Sequence, residues 1–170
     1  YSPLKRANIG TNSRVGVIGL GGLGHMAVKI AHAMGAVVTV FTTSENKIEE
    51  AKRLGASHVV LSTDLIAMQA EANQFDFILN TVSANFDINL YLNCLTYDGQ
   101  LTQVGLPTDP MPISMFPVVF KRLSVTGSLI GGIKETQEVL DFCAEHQITS
   151  DIEIIKPNEI NKALERLKHG

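Results

Sequence analysis

The chain has 170 residues, a length typical of one domain with one substantial core. Its residues are 45% hydrophobic and 18% charged, which excludes intrinsic disorder. The formal net charge of -3 excludes the basic surface that nucleic acid or an anionic membrane would need. We therefore expect neither as a partner.

Two further sequence features concern the compartment. Cys94 and Cys143 are too few and too far apart for a disulfide framework or a zinc knuckle, so we expect buried free thiols. The N-terminal residues lack a signal-peptide pattern, and no apolar run reaches the roughly 18 residues of a membrane span. These features favour a cytoplasmic protein.

Short apolar runs alternate with amphipathic segments along the chain. In chain order, the sequence predicts strand 14–19, helix 25–34, strand 37–41, helix 45–54, strand 58–61, helix 65–72, strand 75–82, helix 87–95, strand 100–105, strand 123–130 and helix 134–146. Ser44 is predicted to cap the second helix, the pair Asp98 and Gly99 to form a turn, and Val139, Leu140 and Phe142 to face inward.

This alternation predicts a single α/β domain with a doubly wound, six-stranded parallel sheet, the Rossmann fold. Residues 1–150 make up this dinucleotide-binding domain. Residues 151–170 pair a short apolar run with a polar helix whose apolar stripe, Ile160, Leu164 and Leu167, could face a neighbouring unit. We expect this segment to connect to something outside the chain.

A glycine-rich turn joins the first strand to the first helix. Gly19, Gly21 and Gly24 have the G-x-G-x-x-G spacing, and their place between a strand and a helix makes this weak motif more specific. The first glycine permits the tight turn, the second lets backbone approach a pyrophosphate, and the third allows the helix to pack on the strand. Two alternatives are a turn without a ligand and the glycine-rich site of a methyltransferase.

The end of the second strand bears on the type of nucleotide. NAD sites place a carboxylate there, about 20 residues past the turn, to bind the ribose 2′-hydroxyl. Here the strand ends in Thr42, Thr43 and Ser44, and Lys47 follows, although Glu45 lies close by. Hydroxyl donors and an ammonium suit a 2′-phosphate, so the sequence favours NADP(H). Alternatively, Ser44 only caps the helix and Lys47 is a solvated surface charge.

Four segments together resemble one family: residues 19–25, 42–47, 127–131 and 135–145. They are similar to the cofactor domain of zinc-dependent medium-chain alcohol dehydrogenases, in the cinnamyl alcohol dehydrogenase-like branch. The resemblance covers nearly the whole chain and implies an NADP-dependent enzyme that interconverts small alcohols and aldehydes.

The resemblance also implies positions for the cofactor. The pyrophosphate would be bound by Gly19, Leu20, Gly21, Gly22, Leu23 and Gly24. The adenosine ribose and its 2′-phosphate would be bound by Thr42, Thr43, Ser44, Glu45, Asn46 and Lys47. Thr81 would lie beside the cofactor, and the nicotinamide end would meet Gly105, Ser128, Leu129 and Ile130. Thr81 and Ser128 could instead be ordinary strand-end caps.

The sequence departs from the family in lacking its zinc-ligand sets. The resemblance implies zinc in the intact enzyme, held by another domain, but the five histidines here lie on different elements without ligand spacing. We identify no nucleophile, general base or metal ligand, and expect the chain to bind cofactor without catalysis, with residues 151–170 leading back toward an absent catalytic domain. A zinc-independent NADPH reductase of the same superfamily and a non-catalytic nucleotide-sensing module are alternatives.

The family also suggests a homodimer formed by aligning sheet edges. Residues 111–114, an apolar segment between prolines, are the predicted edge. A plain surface loop is the alternative.

Overall fold

The computed structural model describes residues 1–169, with six parallel strands and helices on both faces of the sheet. The elements are α1 (Ser2–Arg6), β1 (Arg14–Ile18), α2 (Gly22–Ala33), β2 (Val37–Thr42), α3 (Ile48–Arg53), β3 (His58–Leu61), α4 (Leu65–Ala70), β4 (Phe75–Asn80), α5 (Asn89–Cys94), β5 (Leu95–Gln103), α6 (Met115–Phe120), β6 (Ser124–Gly127), α7 (Ile133–Glu145) and α8 (Ile160–His169). Short 3-10 turns, Glu45–Lys47 and Pro157–Glu159, precede α3 and α8. The predicted fold class is confirmed.

The strand order explains where a ligand can enter. The strands are arranged β3-β2-β1-β4-β5-β6, and every neighbouring pair is parallel. The chain connections therefore run in opposite directions on either side of the β1–β4 pair, which leaves a crevice at the carboxyl ends of these two strands. Ile18 at the end of β1 lies opposite both Phe41 of β2 and Asn80 of β4, so the loops after all three strands meet there.

The core is divided by the sheet into two apolar clusters. Val17 and Val40 lie in the cluster under α1, α2, α3 and α7, whereas Ile18 and Phe41 lie in the cluster under α4 and α5. Neighbouring residues of a strand point to opposite faces, so a strand covered on both faces must be apolar throughout. This accounts for the nearly continuous apolar runs of β1 and β2.

The start of β5 differs from the prediction. The strand begins at Leu95, directly after α5, and the predicted turn at Asp98 and Gly99 lies within it. Asp98 has φ 60°, and the register with β4 shifts between Phe75 and Phe77. A left-handed residue here makes a bulge that interrupts the pairing without reversing the chain.

The predicted end of β6 and one predicted inward-facing residue of α7 are also wrong. β6 pairs with residues 100–103 of β5, so it ends at Gly127 where its partner ends, and not at residue 130. On α7, Val139 and Phe142 pack against the core, but Leu140 is 58% exposed. Helical geometry puts residues three apart on one face and turns the next residue away from it.

The two cysteines are free, as predicted, but only Cys94 is fully buried. Burial raises the pKa of the Cys94 thiol to about 12, so it is un-ionised and unreactive at neutral pH. Cys143 on α7 is half-buried. Within residues 1–169, no helix has the length and apolar character needed to cross a membrane.

Candidate cofactor-binding site

The turn between β1 and α2 requires glycine at its first position. Gly19 follows β1 directly and has φ +87°, in the left-handed region. A Cβ added to it would lie 2.6 Å from Cγ2 of Val82. Both the backbone conformation and the close approach of the loop after β4 therefore exclude a larger residue.

The third glycine lets α2 approach the turn. Gly24 is buried in the first turn of α2, and an added Cβ would lie 2.2 Å from the carbonyl oxygen of Gly19. No real side chain tolerates that contact. The helix begins at Gly22 rather than at the predicted residue 25, so the motif itself forms the first helical turn.

The middle of the motif is open. Gly21 and Gly22 are exposed, and a Cβ on either would meet nothing within 4 Å. The first amides of a helix have no intrahelical acceptor, and the first bond of this helix runs from the His25 amide to the Gly21 carbonyl at 3.0 Å. Outward N–H groups at the positive end of the helix dipole therefore face a space large enough for a phosphate group. The corner fits a pyrophosphate.

Two leucines flank this opening. Leu20 is half-buried against the core, and Leu23 is 59% exposed on the first turn of α2. The backbone amides of both residues belong to this turn.

The end of β2 supplies hydroxyl groups beside this corner. Thr42 is buried, and its Oγ1 accepts a 3.2 Å hydrogen bond from the Ser44 amide. Thr43 and Ser44 are exposed. Ser44 occupies the predicted N-cap position, but its side chain makes no capping bond.

Lys47 ends the 3-10 turn and is paired with a residue of α3, the helix that follows it. Its Nζ lies 2.9 Å from Oε2 of Glu50, and the two side chains are 33% and 37% exposed. Ion pairs with this exposure contribute little free energy, so a doubly charged phosphate could displace the carboxylate. Glu45 and Asn46 are exposed beside it.

A cavity of about 520 Å³ connects the glycine turn to the end of β2. Besides the predicted residues it is lined by Phe41, Ser62, Phe86 and Tyr91, which the sequence analysis did not identify. The Tyr91 ring packs edge-on against Phe41 at 5.2 Å and against Phe86 at 5.4 Å between centroids. This apolar cleft with polar groups at its rim suits a flat aromatic base.

Tyr91 forms the floor of this cleft. It is 5% exposed and lines the cavity together with Ser62. Burial raises the pKa of Tyr91, so the phenol stays protonated at neutral pH. Ser62 and Phe86 lie in the loops that follow β3 and β4, whereas Phe41 lies on β2 and Tyr91 on α5, so no shared local sequence signal marks the four residues.

Thr81 directly follows β4, and its side chain contacts the glycine turn. Its hydroxyl donates a 2.7 Å hydrogen bond to the Ile18 carbonyl, and its Oγ1 lies 3.2 Å from where a Cβ of Gly24 would be. The side chain thus supports the turn in this structure. Its predicted contact with the cofactor stays a prediction.

Gly105 packs against the end of β4. A Cβ there would lie 2.2 Å from the Val82 carbonyl oxygen, and the Gly105 amide donates to the Asn80 carbonyl at 3.1 Å. Asn80 is fully buried and donates to Oε1 of Gln103 at 2.6 Å. These bonds hold the ends of β4 and β5 together.

The remaining predicted residues lie just beyond β6, at the same edge of the sheet. The Ser128 amide donates to the Gln103 carbonyl at 3.0 Å, and its hydroxyl donates to the Leu129 carbonyl. Leu129 and Ile130 are 86% and 90% exposed. They follow the strand rather than end it, contrary to the prediction.

Within the described part of the chain, no group of three or more His, Cys, Asp or Glu side chains is arranged to hold a metal ion. His25 and His32 both lie on α2, so the prediction that the histidines lie on different elements is wrong for this pair. His58 lies on β3 and His146 after α7. The side chain of His169, the fifth histidine, lies outside the described residues.

A family model described as zinc-binding dehydrogenase matches residues 22–145. The chain belongs to this family. Among its relatives, NADP-dependent alcohol dehydrogenase C 1 from Mycolicibacterium smegmatis is 54% identical over 167 residues, which are 98% of this chain and 48% of that protein. The family resemblance found in the sequence is thus confirmed.

Solved members of the family have the same fold. A cinnamyl alcohol dehydrogenase from Sorghum bicolor matches with a TM-score of 0.97 at 40% identity, and covers 99% of this chain. One from Helicobacter pylori, complexed with NADP(H), matches with a TM-score of 0.90 at 42% identity over 100% of this chain. In each case the match covers 48% of the solved chain, so this chain spans about half the length of its relatives.

Proposed function

We propose that the chain is the NADP(H)-binding part of a zinc-dependent alcohol dehydrogenase that interconverts small alcohols and aldehydes by hydride transfer. The observation that carries this proposal is the open, side-chain-free corner at Gly21 and Gly22, at the start of α2 and next to the cavity. The relative named NADP-dependent and the homologous structure with NADP(H) support it. When bound, the cofactor supplies the hydride donor or acceptor.

In this proposal the predicted residues divide into three groups. The turn from Gly19 to Gly24 holds the pyrophosphate, and the segment from Thr42 to Lys47 holds the ribose and its 2′-phosphate. The adenine lies in the aromatic cleft at Tyr91. Thr81, Gly105 and residues 128–130 lie toward the nicotinamide. The strand end has hydroxyls where an NAD site would have an acid, which supports the assignment to NADP(H).

Residues 1–150 form the cofactor domain in this proposal, and residues 151–170 lead back toward the catalytic domain; Gly170 lies outside the described residues. The described residues offer no zinc-ligand set, so we derive no step through zinc. The chain then positions the cofactor and binds it without turning over substrate. We also propose a cytoplasmic location, because two free thiols suit a reducing compartment.

Replacing Lys47 with alanine tests the 2′-phosphate assignment. Because the ammonium interacts with a phosphate that NADH lacks, we expect Lys47→Ala to weaken NADPH binding about tenfold and NADH binding less than about twofold. Fluorescence titration of both cofactors measures this. Lys52→Ala is the matched control, since Lys52 forms a 2.9 Å pair with Glu49 at the same spacing on α3. Equal weakening of both cofactors, or of neither, would contradict the assignment.

We further propose that the chain forms a homodimer through the β6 edge. Residues 111–114 form no strand, contrary to the predicted edge. The Asn89 side chain donates to the Pro112 carbonyl and accepts from the Ser114 amide. β6 is the edge strand instead, and α6 next to it exposes a stacked pair, Phe116 and Phe120, at 4.3 Å.

Sedimentation velocity at rising concentration tests the dimer. We expect a dimer for the unmodified chain and a monomer for Phe120→Asp, because the charge would be buried without a partner. A monomer of the unmodified chain at high concentration would count against this proposal.

A further inference from the structure

A short segment after α7 crosses the two helices that frame the candidate site. We name residues 149–151 the strap. Asp151 accepts a 2.6 Å bond from Lys29 Nζ on α2 and a 2.7 Å bond from Arg53 Nη2 on α3, one on each carboxylate oxygen. Lys29 also donates to the Thr149 carbonyl at 2.8 Å. One carboxylate thus joins α2 to α3.

The strap also contacts the glycine turn through His25. Nε2 of His25 accepts a 3.3 Å hydrogen bond from the Asp151 amide, and Nδ1 lies 3.3 Å from the Gly21 carbonyl oxygen. An imidazole that accepts at Nε2 carries its proton on Nδ1 and can donate it to that carbonyl. His25 therefore bridges the open glycine and the strap.

These contacts link the two halves of the proposed cofactor site. α2 begins with the glycine turn, and α3 follows the segment that ends at Lys47. A dinucleotide must contact both halves at once, so its affinity depends on how well their separation is fixed before binding.

We infer that the strap positions the dinucleotide site: Asp151 fixes α2 relative to α3, and His25 fixes Gly21. This inference rests on the proposed function. Neither side chain contacts the cofactor in it; both are positioning residues. The strap lies outside residues 22–145 that match the family model, whereas His25 lies within them.

The electrostatic effect of Asp151 and its proposed positioning role predict opposite changes in cofactor affinity when the carboxylate is removed. Its two cations hold the pKa of the carboxyl down at about 2, so it is negatively charged at neutral pH. Removing a negative charge near an anionic ligand should strengthen binding by electrostatics alone. If the strap positions the site, removal should weaken binding instead.

Two ligands separate positioning from other effects. NADPH spans both halves, whereas adenosine 2′-monophosphate has no pyrophosphate and contacts only the half at β2. For Asp151→Ala and Asp151→Asn we expect NADPH binding to weaken about tenfold and adenosine 2′-monophosphate binding to change less than twofold. Calorimetric titration of the 170-residue chain measures both affinities.

The matched control is Glu49→Ala, which removes the same charge from α3 but breaks a pair within one helix, with Lys52. It should leave NADPH binding unchanged or slightly tighter. His25→Ala should weaken NADPH alone, and His25→Gln, which keeps a donor and an acceptor, should recover part of the loss. If the Asp151 variants fail to fold, these histidine variants test the positioning role instead.

Equal weakening of both ligands would overturn the inference, since it would indicate general destabilisation. Unchanged NADPH affinity in the Asp151 and His25 variants would overturn it as well. Failure of the unmodified chain to bind NADPH would instead refute the proposed function itself.

Discussion

Gly21→Asp is expected to abolish NADPH binding and leave the melting temperature nearly unchanged. Gly21 has φ -100° and ψ -158°, a conformation open to any residue, and an added Cβ would meet nothing within 4 Å. The fold therefore tolerates a side chain there. The proposed pyrophosphate does not, because the carboxylate would occupy its space and repel its charge.

Placing the new carboxylate against the negatively charged pyrophosphate costs several kcal/mol of binding free energy. We therefore expect the affinity for NADPH to fall by at least about 100-fold. Titration with NADPH and a thermal melt of the same sample measure the two effects. Gly10→Asp is the control. A Cβ added to Gly10 would also meet nothing within 4 Å, and Gly10 precedes β1, whereas the glycine turn follows it. NADPH binding retained in Gly21→Asp would refute the placement of the pyrophosphate.

Gly24→Ala is expected to destabilise the fold strongly, although alanine normally stabilises a helix by up to about 1 kcal/mol relative to glycine. The new methyl group would lie 2.2 Å from the Gly19 carbonyl oxygen and 3.2 Å from Oγ1 of Thr81. The first contact is with backbone, so α2 must move away from the turn. Overpacking of this kind costs about 3 kcal/mol.

For a domain of this size, that loss lowers the melting temperature by roughly 10 °C. Thermal and urea unfolding measure it, and Gly22→Ala is the comparison. Gly22 lies in the same helical turn with nothing within 4 Å of its Cβ position, so its replacement should leave stability within about 1 kcal/mol. Similar melting temperatures for the two variants would contradict the close packing of α2 on the turn.

Much of the site follows from local sequence. The spacing of Gly19, Gly21 and Gly24 between a strand and a helix predicted the turn, and the hydroxyl residues in place of an acid at the end of β2 indicated the type of nucleotide. Such signals are readable because the conformation of a tight turn depends on residues close in the chain. The same local pattern misjudged Leu140, because apolar character alone does not say which face of α7 meets the sheet.

Other features depend on contacts between distant residues. Phe41, Phe86 and Tyr91 form one cleft because β2 and β4 flank β1, an order that no single segment encodes. The end of β6 depends on where its partner β5 ends.

The glycine turn and the hydroxyl-rich strand end were thus determined by the sequence itself, since each depends on neighbours within a few residues. The class of fold followed from the alternation of strands and helices along the whole chain. The cleft and the attachment of Asp151 to Lys29 and Arg53 were decided only by the tertiary structure. For the cleft and the strap the reason is chain topology, because loops and helices far apart in sequence meet at one edge of a parallel sheet. For Lys47 the choice between a surface partner and a ligand depends on side-chain geometry, which residue types alone do not specify.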